Sequence, residues 1–220
     1  MHTMSSSSNS SRFLALGDSY TIGEGVAEEG RWPVQLARKL RADGIVIDDP
    51  LIVATTGWTT DELSAAMDLA SFEPPYALVT LLIGVNNQYR GRDVDNYRAE
   101  FRALLQRAIA LAGQRPQRVV VVSIPDWGVT QFGQSSSRGA QTIAREIDLY
   151  NAVNAQIAGS LHVPYADVTP ASRAGGGRAD MLAADGLHPS AAMYRRWLDA
   201  IEPPARAALS SVGPRSSLLP

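Results

Sequence analysis

The stretch Ala77-Leu-Val-Thr-Leu-Leu-Ile83 is almost entirely apolar, with Thr80 as its one polar residue. A strand that is apolar at consecutive positions has both faces buried, which is typical of a parallel sheet covered by helices. The polar sequence Gly84-Val-Asn-Asn87 follows it directly. In such sheets ligands bind beyond the carboxyl ends of the strands, so this motif marks a candidate site.

Segments of helical period alternate with apolar runs on both sides of this stretch. The other predicted strands are Arg12–Leu16, Leu51–Ala54, Val119–Ile124 and Tyr165–Val168. The predicted helices begin near Trp32 and near Thr60, a candidate cap, and cover about Asp93–Ala112, Gln141–Ala158 and Ala191–Leu209. This order predicts an α/β fold: one three-layer α/β/α sandwich around a mainly parallel, five-stranded sheet.

Composition narrows the range of functions. The 220 residues contain 45% hydrophobic and 19% charged residues, with a formal net charge of -2, which gives no reason to expect nucleic acid as a partner. The absence of cysteine excludes thiolate catalysis and sulfur-ligated metals, and with three histidines in all we expect no metal and no cofactor. Residues 12–210 are expected to form the single domain, residues 1–11 a disordered leader and residues 211–220 a flexible tail. No membrane-spanning run or signal peptide is evident, which favours the cytoplasm.

The strand ends carry the residue types of nucleophilic catalysis. Ser19 follows the first strand, and a serine hydroxyl needs a base whose tautomer is held by a carboxylate. Asp185 and His188 lie three residues apart in a predicted turn and can form that pair. The developing oxyanion needs hydrogen-bond donors, for which the candidates are the Ser19 N–H, the Gly57 N–H and the Asn86 side chain.

Four short motifs in this order resemble the blocks of the GDSL, or SGNH, family of serine esterases and lipases. They are Gly17-Asp18-Ser19-Tyr20, Gly57, Gly84-x-Asn86 and Asp185-x-x-His188. The resemblance implies a flavodoxin-like SGNH hydrolase fold and an ester hydrolase with Ser19, Gly57, Asn86 and His188 as its four name-giving residues. The chain departs from the family pattern at Tyr20, where leucine is usual, and at Asn87, where aspartate is usual.

The expected substrate is a small-molecule ester with a short-to-medium acyl chain, because no long insertion is left over to form a lid. Lysophospholipids, acyl thioesters and acetylated sugars stay open within the family. Trp58, Asn87 and Trp127 are candidate pocket residues because each follows a predicted strand end. A different class also stays open: a non-catalytic, flavodoxin-like module that binds a phosphate or nucleotide at the loop after the first strand. The oligomeric state is not predicted.

Overall fold

A computed structural model describes residues 11–210, and its centre is a five-stranded parallel sheet. The spatial order is β2-β1-β3-β4-β5, and every neighbouring pair is parallel. The predicted fold class is thereby confirmed. The strands are β1 (Phe13–Gly17), β2 (Leu51–Ala54), β3 (Leu78–Leu82), β4 (Val119–Val122) and β5 (Tyr165–Ala166).

The sheet is covered on both faces, which explains its continuous apolar strands. All residues of β1, β3 and β4 are buried, whereas the edge strand β2 is partly exposed. Two long helices pack against each other on one face, and three lie in a row on the other. The first face carries α2 (Trp32–Ala42) and α9 (Ala191–Ser210), and the second carries α3 (Thr60–Leu69), α5 (Val94–Leu111) and α7 (Ala140–Ser160).

Four short helices lie in segments for which the sequence predicts no helix. They have four to seven residues, too few for a periodic pattern to be recognised. Three of them lie in the loops around the carboxyl edge of the sheet, and the fourth follows β5. They are α1 (Ser19–Ile22), α4 (Val85–Tyr89), α6 (Gln131–Ser135) and α8 (Thr169–Gly175).

The cap of α3 differs from the prediction by one residue. Thr59, not Thr60, precedes the helix, and it forms a capping box with Glu62. The Thr59 N–H donates to Glu62 Oε2 at 2.8 Å. A cap needs extended backbone, which Thr59 has, whereas Thr60 is already helical.

Most of the predicted leader and the predicted tail, residues 1–10 and 211–220, lie outside the described residues, as does His2. Within residues 11–210, no helix is long and apolar enough to cross a membrane. The boundaries of the single domain stay a prediction.

Candidate active site

A cleft of about 230 Å³ opens at the carboxyl edge of the sheet, where the loops after β1, β2 and β3 meet. These three strands are neighbours, so residues far apart in sequence come together there. Four of the five predicted catalytic and oxyanion residues line this cleft, and the fifth, Asp185, contacts it through His188. Its lining residues are Ser19, Tyr20, Thr56, Gly57, Val85, Asn86, Tyr89, Trp127, Phe132, Leu187 and His188.

Ser19 is the first residue of the four-residue helix α1 and is nearly buried. The first N–H groups of a helix have no partner within it, so the Ser19 N–H is available to a ligand in the cleft. Asp18 caps this helix by accepting a hydrogen bond from the Tyr20 N–H at 3.0 Å. Complete burial raises the pKa of Asp18 to about 7 despite that bond. Its Oδ2 atom has no hydrogen-bond partner among the described residues.

The turn with Asp185 and His188 is held together by its own hydrogen bonds. Asp185 Oδ2 lies 2.6 Å from His188 Nδ1, and Asp185 Oδ1 accepts from the Leu187 and His188 N–H groups, both at 2.9 Å. Partial burial pushes the pKa of Asp185 upward, but these hydrogen bonds outweigh it and the pKa is lowered. Asp185 is therefore a charged acceptor at neutral pH, and such an acceptor holds the proton of His188 on Nδ1.

The His188 ring also packs against the residue that follows Ser19. Tyr20, which follows Ser19, contacts it edge-on with 5.7 Å between the ring centroids. Tyr20 packs in turn against Trp197 of α9 at 6.1 Å. The tyrosine that replaces the usual leucine therefore packs against both the imidazole and α9.

The oxyanion candidates Gly57 and Asn86 come from two loops that bond to each other. Asn86 Nδ2 donates one proton to the Trp58 carbonyl at 2.9 Å, which leaves its second proton free, since an amide has two. Gly84 precedes α4, the helix that carries Asn86, as its N-cap. Its φ is 126°, and a Cβ there would collide with the Tyr97 ring. Only glycine meets both conditions.

Two of the three residues predicted for the pocket do not line the cleft. Asn87 is fully buried and turned toward α3, where Oδ1 accepts from the Thr60 N–H at 3.1 Å and Nδ2 donates to Thr60 Oγ1 at 2.7 Å. Trp58 packs against the core and reaches the site through its carbonyl alone. Successive residues of a helix point about 100° apart, so Asn86 and Asn87 cannot both face the cleft.

The third, Trp127, forms an aromatic wall together with two residues that the sequence analysis does not single out. The ring of Tyr89 lies 5.5 Å and that of Phe132 lies 6.0 Å from Trp127. Trp127 is held by a hydrogen bond from its Nε1 to Gln88 Oε1 at 2.8 Å. The Phe132 N–H donates to the Gly186 carbonyl at 3.1 Å, which joins the wall to the base turn.

One of the missed residues, Tyr89, is related to a predicted residue by helical spacing. Tyr89 stands three positions after Asn86, which on a helix is the same face. That signal depends on knowing that α4 is a helix, and its five residues are too few to show it. Phe132 reaches the cleft through a non-local backbone bond and had no local signal.

Comparison with known proteins adds independent information. The sequence model of the GDSL-like Lipase/Acylhydrolase family matches residues 15–196. The structure is similar to that of TesA, with a TM-score of 0.70 at 22% identity, covering 90% of this chain and 99% of TesA. It is also similar to the esterase EstA from Pseudoalteromonas sp., with a TM-score of 0.66 at 19% identity over 91% of this chain and 99% of EstA.

A third similar structure is Axe2, an acetylxylan esterase from Geobacillus stearothermophilus, with a TM-score of 0.62 at 22% identity over 93% of this chain and 95% of Axe2. At these identities the structural likeness supports the fold alone. The comparison with curated proteins returns no match.

Proposed function

Because the chain belongs to the family of GDSL-like lipases and acylhydrolases and is a carboxylic ester hydrolase, we propose that it works through a covalent acyl-enzyme on Ser19. The observation that carries this proposal is the 2.6 Å contact between Asp185 Oδ2 and His188 Nδ1 in a turn that borders the same cleft as Ser19. The arrangement provides a nucleophile, a base and a group that orients the base.

In the proposed reaction, His188 Nε2 takes the hydroxyl proton as Ser19 Oγ forms a bond to the ester carbonyl carbon. The carbonyl oxygen becomes an oxyanion, which accepts hydrogen bonds from the Ser19 N–H, the Gly57 N–H and Asn86 Nδ2. Collapse of this intermediate breaks the bond to the alcohol oxygen, which receives the proton from His188. Water then repeats the sequence on the acyl-enzyme and releases the carboxylic acid.

The proposed substrate is an uncharged ester with a short-to-medium acyl chain. The cleft volume of about 230 Å³ is below the roughly 300–1,000 Å³ of pockets that enclose drug-sized ligands. The cleft-lining residues in the described part of the chain include no Asp, Glu, Lys or Arg that could pair with a charged headgroup. Acyl thioesters and acetylated sugars are the further candidates within this class.

The phosphate-binding alternative has less support. A phosphate at the loop after β1 would need the N–H groups at the start of α1, and the Asp18 carboxyl already accepts one of them. The family match also favours an enzyme. The cytoplasmic location stays a prediction of the sequence.

A serine-directed fluorophosphonate tests the proposed nucleophile. We expect it to label the protein once, at Ser19, and to leave a folded Ser19→Ala variant unlabelled, as mass spectrometry of tryptic peptides would show. A wild-type protein that stays unlabelled and releases no acid from any aryl ester would refute the mechanism and favour a binding module.

Substrate size is tested with monomeric aryl esters from acetate to palmitate. We expect kcat/KM to peak at about two to eight carbons, because a long chain finds too little wall for each methylene to gain the roughly 0.8 kcal/mol of full burial. Replacement of Trp127 by alanine should change the chain-length preference more than activity on acetate, and Trp58→Ala, outside the cleft lining, is the matched control. A steady rise of kcat/KM to palmitate would contradict the proposed substrate class.

A further inference from the structure

The loop between β2 and α3 carries Gly57 and is held from one side by the short helix α4. Asn86 Nδ2 donates to the Trp58 carbonyl at 2.9 Å, and Arg90 Nη2 donates to the Gly57 carbonyl at 2.6 Å. Asn86 and Arg90 are four residues apart, so they project from the same side of the helix. Two consecutive carbonyls of the loop are therefore bonded to one helix face.

Gly57 needs such support because glycine restricts its own backbone less than any other residue. Its φ of 89° lies in the region that only glycine adopts easily, and glycine also samples many other conformations. Its N–H has no acceptor among the described residues, so no bond of its own fixes the direction of that donor. The Gly57 N–H belongs to the peptide unit before this residue, and the Gly57 carbonyl belongs to the unit after it. That second unit is held at both ends, since Arg90 Nη2 donates to the Gly57 carbonyl at 2.6 Å and the Trp58 N–H donates to the Thr55 carbonyl at 3.3 Å.

We propose that Arg90 is a positioning residue of the oxyanion site: it anchors the Gly57–Trp58 peptide unit and so limits how far the Gly57 backbone can rotate its N–H away from the reacting carbonyl oxygen. This inference rests on the proposed function, in which Gly57 donates to the oxyanion. An oxyanion donor is effective only if it is oriented before charge develops. Arg90 suits this task because a charged guanidinium donates stronger hydrogen bonds than a neutral group.

If Arg90 acted only by joining α4 to α3, replacing it should affect kcat no more than replacing Arg92, because Arg92 joins the same two helices. Arg92 Nη1 lies 2.5 Å from Asp61 Oδ1 in the first turn of α3, and Arg90 Nη1 lies 3.3 Å from Glu62 Oε1 in that turn. Both pairs are partly exposed and tie the end of α4 to α3. Arg90 alone of the two donates to the loop carbonyl.

The experiment compares Arg90→Ala with Arg92→Ala and Glu62→Gln on a short aryl ester. Glutamine keeps the capping box at position 62 but removes the charge that faces Arg90. We expect Arg90→Ala to lower kcat about tenfold with KM within about twofold, since a donor is misdirected rather than removed. The two controls should stay within about twofold of wild type in both constants.

Two further measurements separate positioning from stability. Millimolar guanidinium chloride should restore part of the kcat of Arg90→Ala and should not change that of Arg92→Ala. Thermal melting checks the fold of each variant. If Arg90→Ala melts below the assay temperature, the comparison uses Arg90→Lys and Arg92→Lys, of which the first alone should lower kcat.

Equal kcat values for the Arg90 and Arg92 variants, or a loss confined to KM, would overturn the role of Arg90 and leave the proposed function intact. A wild-type protein that hydrolyses no ester and resists fluorophosphonate would overturn the proposed function, and this inference with it.

Discussion

The two sides of the cleft are built in opposite ways. On the base side, defined as the turn 185–188, every hydrogen bond of Asp185 reaches a partner two or three residues away. On the oxyanion side, defined as the loop with Gly57 together with Asn86 and Arg90, the bonds join residues 28 and 33 positions apart. One side is a local motif, and the other exists only after two loops have been brought together by the sheet.

This difference indicates which changes each side can tolerate. The hydrogen bonds of Asp185 depend only on residues of the turn 185–188, although its side chain is 41% exposed and Tyr20 also packs against the His188 ring. The oxyanion side depends on how α4 packs against the N-terminus of α3. We therefore expect substitutions outside the site to affect the oxyanion donors more often than the base.

In the proposed mechanism Ser19 supplies the attacking oxygen, and alanine at this position removes that oxygen while it keeps the backbone N–H on the oxyanion side. Ser19→Ala is expected to lower kcat by at least about 10³-fold and by as much as about 10⁶-fold, as removal of a triad nucleophile does in another serine hydrolase. Steady-state kinetics with an aryl ester measure it, with circular dichroism as the check of folding. A folded variant that retains its esterase activity would contradict the mechanism on which the comparison depends.

The base side is tested by Asp185→Asn, which is expected to lower kcat by about 10⁴-fold. Asparagine can still accept from the backbone N–H groups of the turn, but without the charge it no longer holds the proton on His188 Nδ1. Asp180→Asn is the matched control, because Asp180 lies in the preceding loop and pairs with exposed Arg178. Similar kinetics for the two variants would show that Asp185 only shapes the turn.

The oxyanion side is tested by two neighbouring asparagines that face in different directions. Asn86→Ala should lower kcat by about 10²–10³-fold with little change in KM, the usual cost of one oxyanion donor. Asn87→Ala leaves the buried Thr60 N–H without its acceptor, which should cost about 1–3 kcal/mol of stability but less turnover. Steady-state kinetics and urea unfolding of both variants test whether Asn86 acts on turnover and Asn87 on stability. Equal losses of kcat would contradict this assignment.

Asp18, the buried residue before Ser19, belongs to neither side, and its ionisation should affect stability rather than turnover. Its pKa is raised from the ordinary 3.8 to about 7 by burial, so the folded state favours the protonated form. The stability from this preference is fully present below about pH 4 and is lost as pH rises through about 7.

Asp18→Asn keeps the acceptor for the Tyr20 N–H and cannot ionise. The free energy of unfolding of the wild type should therefore fall relative to Asp18→Asn between about pH 4 and pH 7, by a few kcal/mol. Asp185, whose lowered pKa acts in the opposite direction, is present in both proteins and cancels. Urea unfolding across this range measures the difference, and parallel stability curves would show that Asp18 does not titrate there.

The predictability of the elements followed their length and period. The strands and the five long helices were predicted within a few residues, because runs such as Val119–Val122 and Val94–Leu111 repeat their pattern. The short helices were not, since four to seven residues contain at most two turns. The cap of α3 was placed at Thr60 instead of Thr59 for a different reason. Two threonines in succession offer the same side chain, and only the backbone conformation distinguishes them.

The candidate site shows the same division. Ser19, Asp185 and His188 could be chosen from their motifs, because a turn with an acid and a histidine three residues apart carries its chemistry locally. The pocket could not. Of the three predicted pocket residues only Trp127 lines the cleft, whereas Trp58 packs against the core and Asn87 bonds to Thr60. The packing of a short helix decides which of its faces meets the cleft.

By itself, then, the sequence determined the alternation of strands and helices, the position of Ser19 at a strand end and the turn that contains Asp185 and His188. Hydrophobic periodicity and hydrogen bonds between residues a few positions apart depend only on the local sequence, so they can be predicted without knowing which distant segments pack against them. The tertiary structure alone decided that Arg90 meets the Gly57 carbonyl and that Tyr89 and Phe132 flank Trp127. These contacts depend on the order of the strands in the sheet and the packing of α4 and α6, which no local pattern encodes.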